Sequence, residues 1–294
     1  MVKMFNFYYF FYVVVAIIIT LVVIRFLQNK SDKFRYWFIY GIILLNVAIH
    51  FLKVLIYPYT LIEHSLMKAS FENICAASVL LFPFLYFTKN KTLKDYMIMI
   101  GIASGILTYL FPLDAISVLF NGYIYVGPRP AFMLENIRFY FAHYLLFLAP
   151  FLMMHFKMHE LSIKRAYRAP IVLFVVLLLI FINELLLTWI GWVPKSDMFD
   201  PNKRNPSLIF GPKDQFKGLG LVIGVLVPSF MAVTHPVYGF TYHLPVLWLL
   251  FPLIVFGGGI AIIFCLVYDT DATLTFFKKL FKIKTSTTEE IPKQ

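Results

Sequence analysis

A thiol and an imidazole lie in two separate apolar stretches of this sequence, and together they have the groups needed for acyl transfer. They are Cys75 and His143. An imidazole can take the proton of a thiol, and the thiolate then attacks an ester carbonyl to form a thioester. Asn183 or Glu184, in another apolar stretch, could orient the imidazole as a third member. Such an exchange needs no ATP, which agrees with the absence of a P-loop pattern from the sequence.

The elements that must position these residues are transmembrane helices. Hydrophobic residues make up 61% of the 294 residues, charged residues make up 14%, and the mean hydropathy is +0.80. A soluble domain carries about 25% charged residues, so the composition excludes a soluble domain, a disordered chain and a disulfide-rich secreted scaffold. The sequence predicts an all-α polytopic membrane protein, with a single transmembrane domain over 1–268 and a short cytoplasmic tail over 269–294.

Seven apolar runs are long enough to cross a bilayer, which takes about 20 residues. The runs are 5–27, 35–57, 71–88, 95–113, 138–157, 169–193 and 244–268. A shorter apolar run, 218–232, contains Pro228 and predicts a re-entrant or interfacial segment. A full eighth span over 218–232 is the alternative interpretation.

The distribution of basic residues predicts the orientation. Most lysines and arginines lie in the tail and in the loops after the first, third and fifth runs. The positive-inside rule therefore predicts an outside N-terminus and a cytoplasmic C-terminus, and an eighth span would place the basic tail outside. The same rule explains the net charge of +11 without a nucleic-acid partner. The heavy use of Phe, Ile, Tyr and Lys is typical of a low-GC bacterium. We therefore expect the protein in the plasma membrane of such a cell.

Polar side chains inside the predicted spans need an explanation, because ionisable groups in a bilayer cost several kcal/mol. At 1.5 Å per residue, Cys75 lies about 6 Å and His143 about 8 Å below the outer ends of their spans. His50, Asn183 and Glu184 also fall in the outer halves of theirs. A shallow site in the outer leaflet would meet the ester region of its lipids.

Two other residues have simpler interpretations. Lys53 can extend its ammonium group outward to water. Cys265 falls near the inner end of the last span, so we expect it to pack as a small hydrophobe and not to form a disulfide with Cys75.

Short motifs along the chain resemble the YwaF-like family of integral membrane proteins, which is similar to the mammalian transmembrane protein 164, an acyltransferase. The motifs are Glu72-Asn73-Ile74-Cys75, Leu81-Phe82-Pro83, Thr88-Lys89-Asn90-Lys91, Leu110-Phe111-Pro112, and Phe139 to Tyr144 followed by Leu148-Ala149-Pro150. The resemblance extends from about residue 35 to 268. It implies that fatty acyl chains move between phospholipids.

The resemblance also implies roles for individual residues. Cys75 corresponds to the nucleophile and His143 to its partner. Many family members have His two residues before the cysteine, where this chain has Asn73, so this sequence departs from the family pattern there. Glu72 could bind a cation or a headgroup amine, and Arg129, in the long segment between two spans, could recognise a headgroup.

We therefore expect an acyltransferase that moves an acyl chain from a phospholipid to a lysolipid or lipoprotein acceptor, without a metal or organic cofactor. Asn73, Asn183, Glu184 and His50 would support the site. A lipase that uses water as the acceptor is a variant of this hypothesis. The alternatives are a proton- or ion-coupled transporter or channel that uses Glu184 with His50 and His143, and a non-catalytic membrane scaffold.

Overall fold

The computed structural model describes residues 1–120, 124–212 and 222–281 of the chain. Within these ranges, six helices are long and apolar enough to cross a membrane. Numbered in chain order, they are α1 (Phe7–Gln28), α2 (Asp32–Leu52), α4 (Lys91–Leu110), α6 (Leu134–His155), α8 (Arg168–Trp189) and α9 (Leu247–Tyr268). The prediction of an all-α polytopic membrane protein is confirmed.

The remaining predicted span, 71–88, is a shorter helix. α3 (Ile74–Phe87) has 14 residues, which gives a length of about 21 Å against a hydrocarbon core of ~30 Å. The connection 53–73, between α2 and α3, forms three short 3₁₀ turns with buried side chains. Irregular backbone at membrane depth is tolerated where protein covers it.

Asparagine and serine side chains determine where three of the helices begin. Oδ1 of Asn6 accepts a hydrogen bond from the backbone N–H of Tyr9 at 3.0 Å, and Oγ of Ser31 accepts one from Phe34 at 3.3 Å. Oδ1 of Asn90 accepts two from the first turn of α4, at 2.9 and 3.3 Å. Each cap satisfies N–H groups that the helix itself leaves unpaired.

α4 and α6 pack with their backbones close together. A Cβ built on Gly101 would overlap Pro150 and the carbonyl of Leu146, and one built on Gly105 would overlap Phe147. Both glycines lie on α4 and their neighbours lie on α6, so the absence of a side chain allows this approach. α4 therefore presents one face to α6 along the middle of the bundle.

Six helices meet at one end of the bundle, which we call the site end. Three of them end there (α2, α4 and α8), and three begin there (α1, α3 and α6). Lys53, just after α2, pairs there with Glu72, just before α3, at 3.4 Å. Arg138, near the start of α6, donates a hydrogen bond to the hydroxyl of Tyr59, in the connection 53–73, at 3.1 Å. The site end corresponds to the side predicted to face outward, and that orientation stays a prediction.

Short elements add to the bundle between the long helices. α5 (Leu113–Ile116) follows α4, and β1 (Leu119–Phe120) pairs with β2 (Ile124–Tyr125) in an antiparallel hairpin. A second antiparallel hairpin joins β3 (Ala232–Thr234) to β4 (Thr241–His243).

The predicted re-entrant segment 218–232 is only partly visible, since 218–221 lie outside the described residues. From 222 onward it has a short helical turn, and a 3₁₀ turn, Ser229–Met231, then follows Pro228 and leads into β3. No helix of spanning length forms in this described part, so the alternative of an eighth span receives no support there. Its re-entrant character stays a prediction.

The predicted tail, 269–294, begins as a helix. α10 (Thr270–Leu280) starts where Oδ1 of Asp269 accepts the N–H of Ala272 at 2.9 Å. The hydroxyl of Thr273, which is buried, donates to the carbonyl of Cys265 at 3.1 Å. α10 thus packs back onto α9, while residues 282–294 lie outside the described part of the chain.

A buried charge cluster stabilises the end of the bundle opposite the site end. Nε2 of His159 lies 2.6 Å from Oδ1 of Asp95, and Nε of Arg165 donates to Oδ2 at 2.8 Å. Asp95 is on α4 and Arg165 is on the short helix α7 (Ile163–Ala166), so the cluster joins two elements. Cys265 is buried, and both cysteines are free, as expected.

Candidate functional site

Cys75 is the second residue of α3, where helix N–H groups lack intrahelical partners. Two of these groups are satisfied by side chains. Oδ1 of Asn73 accepts the N–H of Ala76 at 2.9 Å, and Oγ of Ser207 accepts the N–H of Ile74 at 2.8 Å. The N–H of Cys75 has no hydrogen-bond acceptor among the described residues. It is therefore available to a ligand oxygen, at the positive end of the helix dipole.

The thiol of Cys75 faces α4. The side chain is partly buried, and the hydroxyl of Ser104 lies beside the sulfur. Lys53 and Asp114 lie within electrostatic range of it. One acidic and one basic side chain therefore act electrostatically on the thiol, and one hydroxyl lies beside it.

His143 lies on α6 with one ring nitrogen already engaged. Nδ1 is 2.8 Å from the carbonyl oxygen of Phe139, and the two rings pack with their centroids 4.6 Å apart. A carbonyl oxygen can only accept, so Nδ1 carries the proton of the neutral ring and Nε2 is the free, basic nitrogen. The chain thus favours the tautomer in which Nε2 can act as a general base.

Cys75 and His143 meet the same turn of α4 from two sides. Ser104 lies beside the thiol, and a Cβ on the next residue, Gly105, would lie 3.2 Å from the His143 carbonyl. The two candidates therefore lie at similar depth in the bundle. No hydrogen bond joins the thiol to the imidazole among the described residues, as is common for catalytic pairs without substrate.

A buried ion-pair cluster lies beside this turn at the site end. Both oxygens of Glu72 are engaged, one by Lys53 at 3.4 Å and the other by Lys68 at 3.0 Å. Burial alone would raise the pKa of the Glu72 carboxyl, but the charges of Lys68 and Lys53 lower that pKa to about 2. Lys53 is only 5% exposed, so the expectation that it extends outward to water is wrong. Its ammonium group turns inward because Glu72 offers a partner.

A second buried pair lies at the start of α6. Arg138 holds Glu135 through two hydrogen bonds, of 2.6 and 2.5 Å. The hydroxyl of Tyr59 joins them, since it donates to Glu135 at 3.3 Å and accepts from Arg138 at 3.1 Å. The site end thus carries many buried charges in mutually neutralising pairs.

The two predicted polar residues of α8 contact other groups than His143. Nδ2 of Asn183 donates to Oγ of Ser70 at 3.0 Å. The carboxylate of Glu184 is fully buried and accepts two hydrogen bonds from Arg204, at 2.5 and 2.9 Å. The expectation that Asn183 or Glu184 orients His143 is therefore corrected, because the Phe139 carbonyl occupies that position.

Three other predicted residues have structural partners. Nε2 of His50 lies 3.1 Å from the carbonyl of Ala69. Arg129 is buried and donates from Nη2 to the carbonyls of Asp114 and Ser117. This guanidinium pins the segment after α4, and Nη2 is committed to backbone carbonyls. Glu72, held by two lysines, is likewise not free to bind a headgroup amine.

The comparison with known protein families agrees with the resemblance seen in the sequence. A model of the TMEM164 family matches residues 2–205. The chain belongs to this family. The match includes both Cys75 and His143 and ends before Ser207, which caps α3. No curated protein and no solved structure matches this TMEM164 family member.

Sequence reasoning missed four residues that contact or lie near the predicted site residues of this TMEM164 family member. Ser104 is an uncharged residue between Ala103 and Gly105. A single serine among small residues of an apolar run does not indicate a site. Ser207 and Arg204 lie in a loop, and their partners are on α3 and α8, so no local spacing links them. Asp114 follows the end of α4, and only the fold brings it near the thiol.

Proposed function

We propose that this protein is an acyltransferase that moves a fatty acyl chain from a phospholipid to a lipid or lipoprotein acceptor. The observation that carries the proposal is the position of Cys75. It lies in the first turn of α3, its N–H has no acceptor in the part of the chain that the structure describes, and its thiol lies against the turn of α4 that packs on the His143 backbone. Family membership supports the assignment to a membrane protein of this type.

The first half-reaction transfers the acyl group to the enzyme. Nε2 of His143 takes the thiol proton, and the sulfur of Cys75 attacks the ester carbonyl of the phospholipid. The N–H of Cys75 stabilises the oxyanion that forms. The carbon–oxygen ester bond then breaks, the lysophospholipid oxygen takes the proton from His143, and a thioester remains on Cys75.

The second half-reaction returns the enzyme to its starting state. A hydroxyl of a lysolipid, or the amino terminus of a lipoprotein, loses a proton to His143 and attacks the thioester carbonyl. The carbon–sulfur bond breaks, and the sulfur takes back a proton from His143. Water in place of the acceptor would give hydrolysis, so the outcome depends on which nucleophile reaches the thioester.

The transporter hypothesis finds less support in the geometry. A proton relay needs ionisable groups that exchange hydrogen bonds, but Glu184 is held by Arg204, and the rings of His50 and His143 contact separate backbone carbonyls. A scaffold would leave the Cys75 N–H and the favoured His143 tautomer without a use.

The test is the covalent intermediate. Protein in vesicles would receive a phospholipid with a labelled acyl chain, and intact mass would detect a hydroxylamine-sensitive adduct. We expect the adduct in the wild type and in Cys265→Ser, its loss in Cys75→Ala, and acylation slowed by about 10²-fold or more in His143→Ala. Cys265 is a matched control because it is also a free cysteine, although it is more buried than Cys75.

Two results would overturn the proposal. One is an adduct that persists in Cys75→Ala. The other is no adduct in the wild type together with unchanged lipid composition in cells that express Cys75→Ala.

A further inference from the structure

An apolar groove runs along the bundle between α1, α4 and α6. Its volume is about 400 Å³, and its lining residues include Val13, Ile17, Ile106 and Phe147. It extends on α1 from the level of Tyr9 to that of Ile24, about 22 Å along the helix axis. The groove thus follows the bilayer normal for much of the ~30 Å hydrocarbon core.

Polar contacts between α1 and the bundle engage hydroxyl groups at and beside the groove, and most of the groove wall is apolar. The hydroxyl of Tyr12 donates to the carbonyl of Ala131 at 2.7 Å, and its ring stacks on Tyr140 with centroids 4.0 Å apart. Farther along, the hydroxyls of Thr20 and Tyr144 lie 3.1 Å apart and satisfy each other. A ligand in this groove therefore meets hydrocarbon and aromatic surface and must itself be apolar.

The groove opens sideways onto the lipid-facing surface. Ile17 and Leu21 on α1, and Ile106 and Leu110 on α4, line the groove and are also exposed at the surface of the protein. A lipid chain can therefore enter from the surrounding bilayer without passing through the protein.

The groove also approaches the candidate site along α4. Gly105 lines its wall and is adjacent in the chain to Ser104, which lies beside the thiol of Cys75. At the site end, Tyr109 lines the groove and donates to the carbonyl of Tyr140 at 3.1 Å. A headgroup at the site end would place its hydrocarbon chain in the groove.

We propose that this groove binds one acyl chain of the donor phospholipid. The proposal rests on the acyltransferase function and adds where the hydrocarbon of the substrate lies. Binding there orders one chain against α1, α4 and α6 and holds the ester region near the turn of α4 that contacts Cys75 and His143.

The test uses a phospholipid that carries a photoactivatable diazirine on its acyl chain, in vesicles that contain the protein. Val13 lines the groove, and its neighbour Val14 is 50% exposed on the other face of α1. Val13→Phe fills the groove and Val14→Phe does not, so the two form a matched pair. Ala16→Leu is a second groove-filling variant.

We expect cross-links on the lining segments of α1, α4 and α6. Val13→Phe and Ala16→Leu should reduce them by about fivefold or more, and Val14→Phe should leave them unchanged. Both groove variants should also favour donors with shorter chains. Cross-links spread evenly over outward-facing residues, or equal in Val13→Phe and Val14→Phe, would overturn the proposal.

The same experiment in Cys75→Ala separates the two proposals, because cross-linking needs no turnover. Groove labelling without any acyl adduct on wild-type Cys75 would leave the groove in place and reject the acyltransferase. An adduct on Cys75 without groove labelling would support the acyltransferase and reject the groove as the binding site of the acyl chain.

Discussion

Arg204 reaches from a loop to place two of its N–H groups on the carboxylate of Glu184, at 2.5 and 2.9 Å, where Glu184 is fully buried in α8. Breaking one partner of a buried ion pair leaves an uncompensated charge, which costs about 3–5 kcal/mol. We expect Glu184→Ala to lower the free energy of unfolding by that amount in detergent, measured by thermal or chemical unfolding. The double variant Glu184→Leu/Arg204→Met should recover most of the loss.

The same pair also tests the transporter hypothesis. If the carboxylate serves only structure, proton flux into vesicles should be the same with wild-type protein, with Glu184→Leu/Arg204→Met and with no protein. Flux that requires Glu184 would contradict our assignment and support an ion relay.

Ser104 offers a test of the groups around the thiol. Ser104→Ala removes the hydroxyl beside the sulfur and adds no bulk, so the fold should be unaffected. We expect thioester formation on Cys75 to slow by about tenfold, the effect of one lost hydrogen bond of ~1.4 kcal/mol in the transition state. Ser78→Ala, at a fully buried serine of α3, is the control and should retain the wild-type rate. Equal rates in both variants would remove Ser104 from the site.

The charge on Glu72 predicts a pH dependence of stability. Lys68 and Lys53 lower its pKa from the ordinary value of 4.5 to about 2 in the folded protein. Their contribution is fully present above pH 4.5 and is lost as the pH falls towards 2, and it amounts to up to about 3 kcal/mol. The difference in unfolding free energy between wild type and Glu72→Gln should therefore shrink over this range.

The control for Glu72 is the more exposed pair of Asp197 and Lys203. Exposed ion pairs are screened by solvent and contribute little to stability, so Asp197→Asn should have little effect at any pH. If the difference in unfolding free energy between wild type and Glu72→Gln stays constant from pH 7 to pH 3, the two lysines do not lower the pKa of this carboxyl.

Ser207 holds the first turn of α3 from a strained position. Its φ is 51°, a left-handed conformation that asparagine tolerates better than alanine. Ser207→Ala loses the acceptor for the Ile74 N–H and should destabilise the protein by about 1 kcal/mol. Ser207→Asn keeps an acceptor and should restore stability. If Ser207→Ala leaves the free energy of unfolding unchanged, water replaces the Ser207 hydroxyl as the acceptor for the Ile74 N–H.

The sequence predicted the helices well because apolar runs of spanning length have few other outcomes. It placed the start of α3 too early, since Asn73 acts as the cap and Glu72 belongs to a charged connection. It misread Lys53 because the partner, Glu72, is 19 residues away. The composition of a segment indicates whether it can lie in the membrane. It does not indicate which ion pairs form between segments, because those pairs depend on tertiary contacts.

The candidate site was likewise predicted in part. Cys75 and His143 were predicted because thiol and imidazole groups are conspicuous in apolar runs. The partner of His143 was predicted wrongly because a backbone carbonyl, that of Phe139, has no signature in the sequence. α10 was missed because its residues are polar enough to suit a tail, and its packing depends on Thr273 reaching Cys265.

The shortness of α3 bears on how the protein is made. With 14 residues it falls below the ~20 that allow a helix to be recognised and inserted alone. Three residues separate it from α4, which is long enough. The two helices would therefore enter the membrane together as a hairpin during synthesis. The helix that carries Cys75 would then reach its final place only when the loop with Ser207, made much later, closes over its first turn.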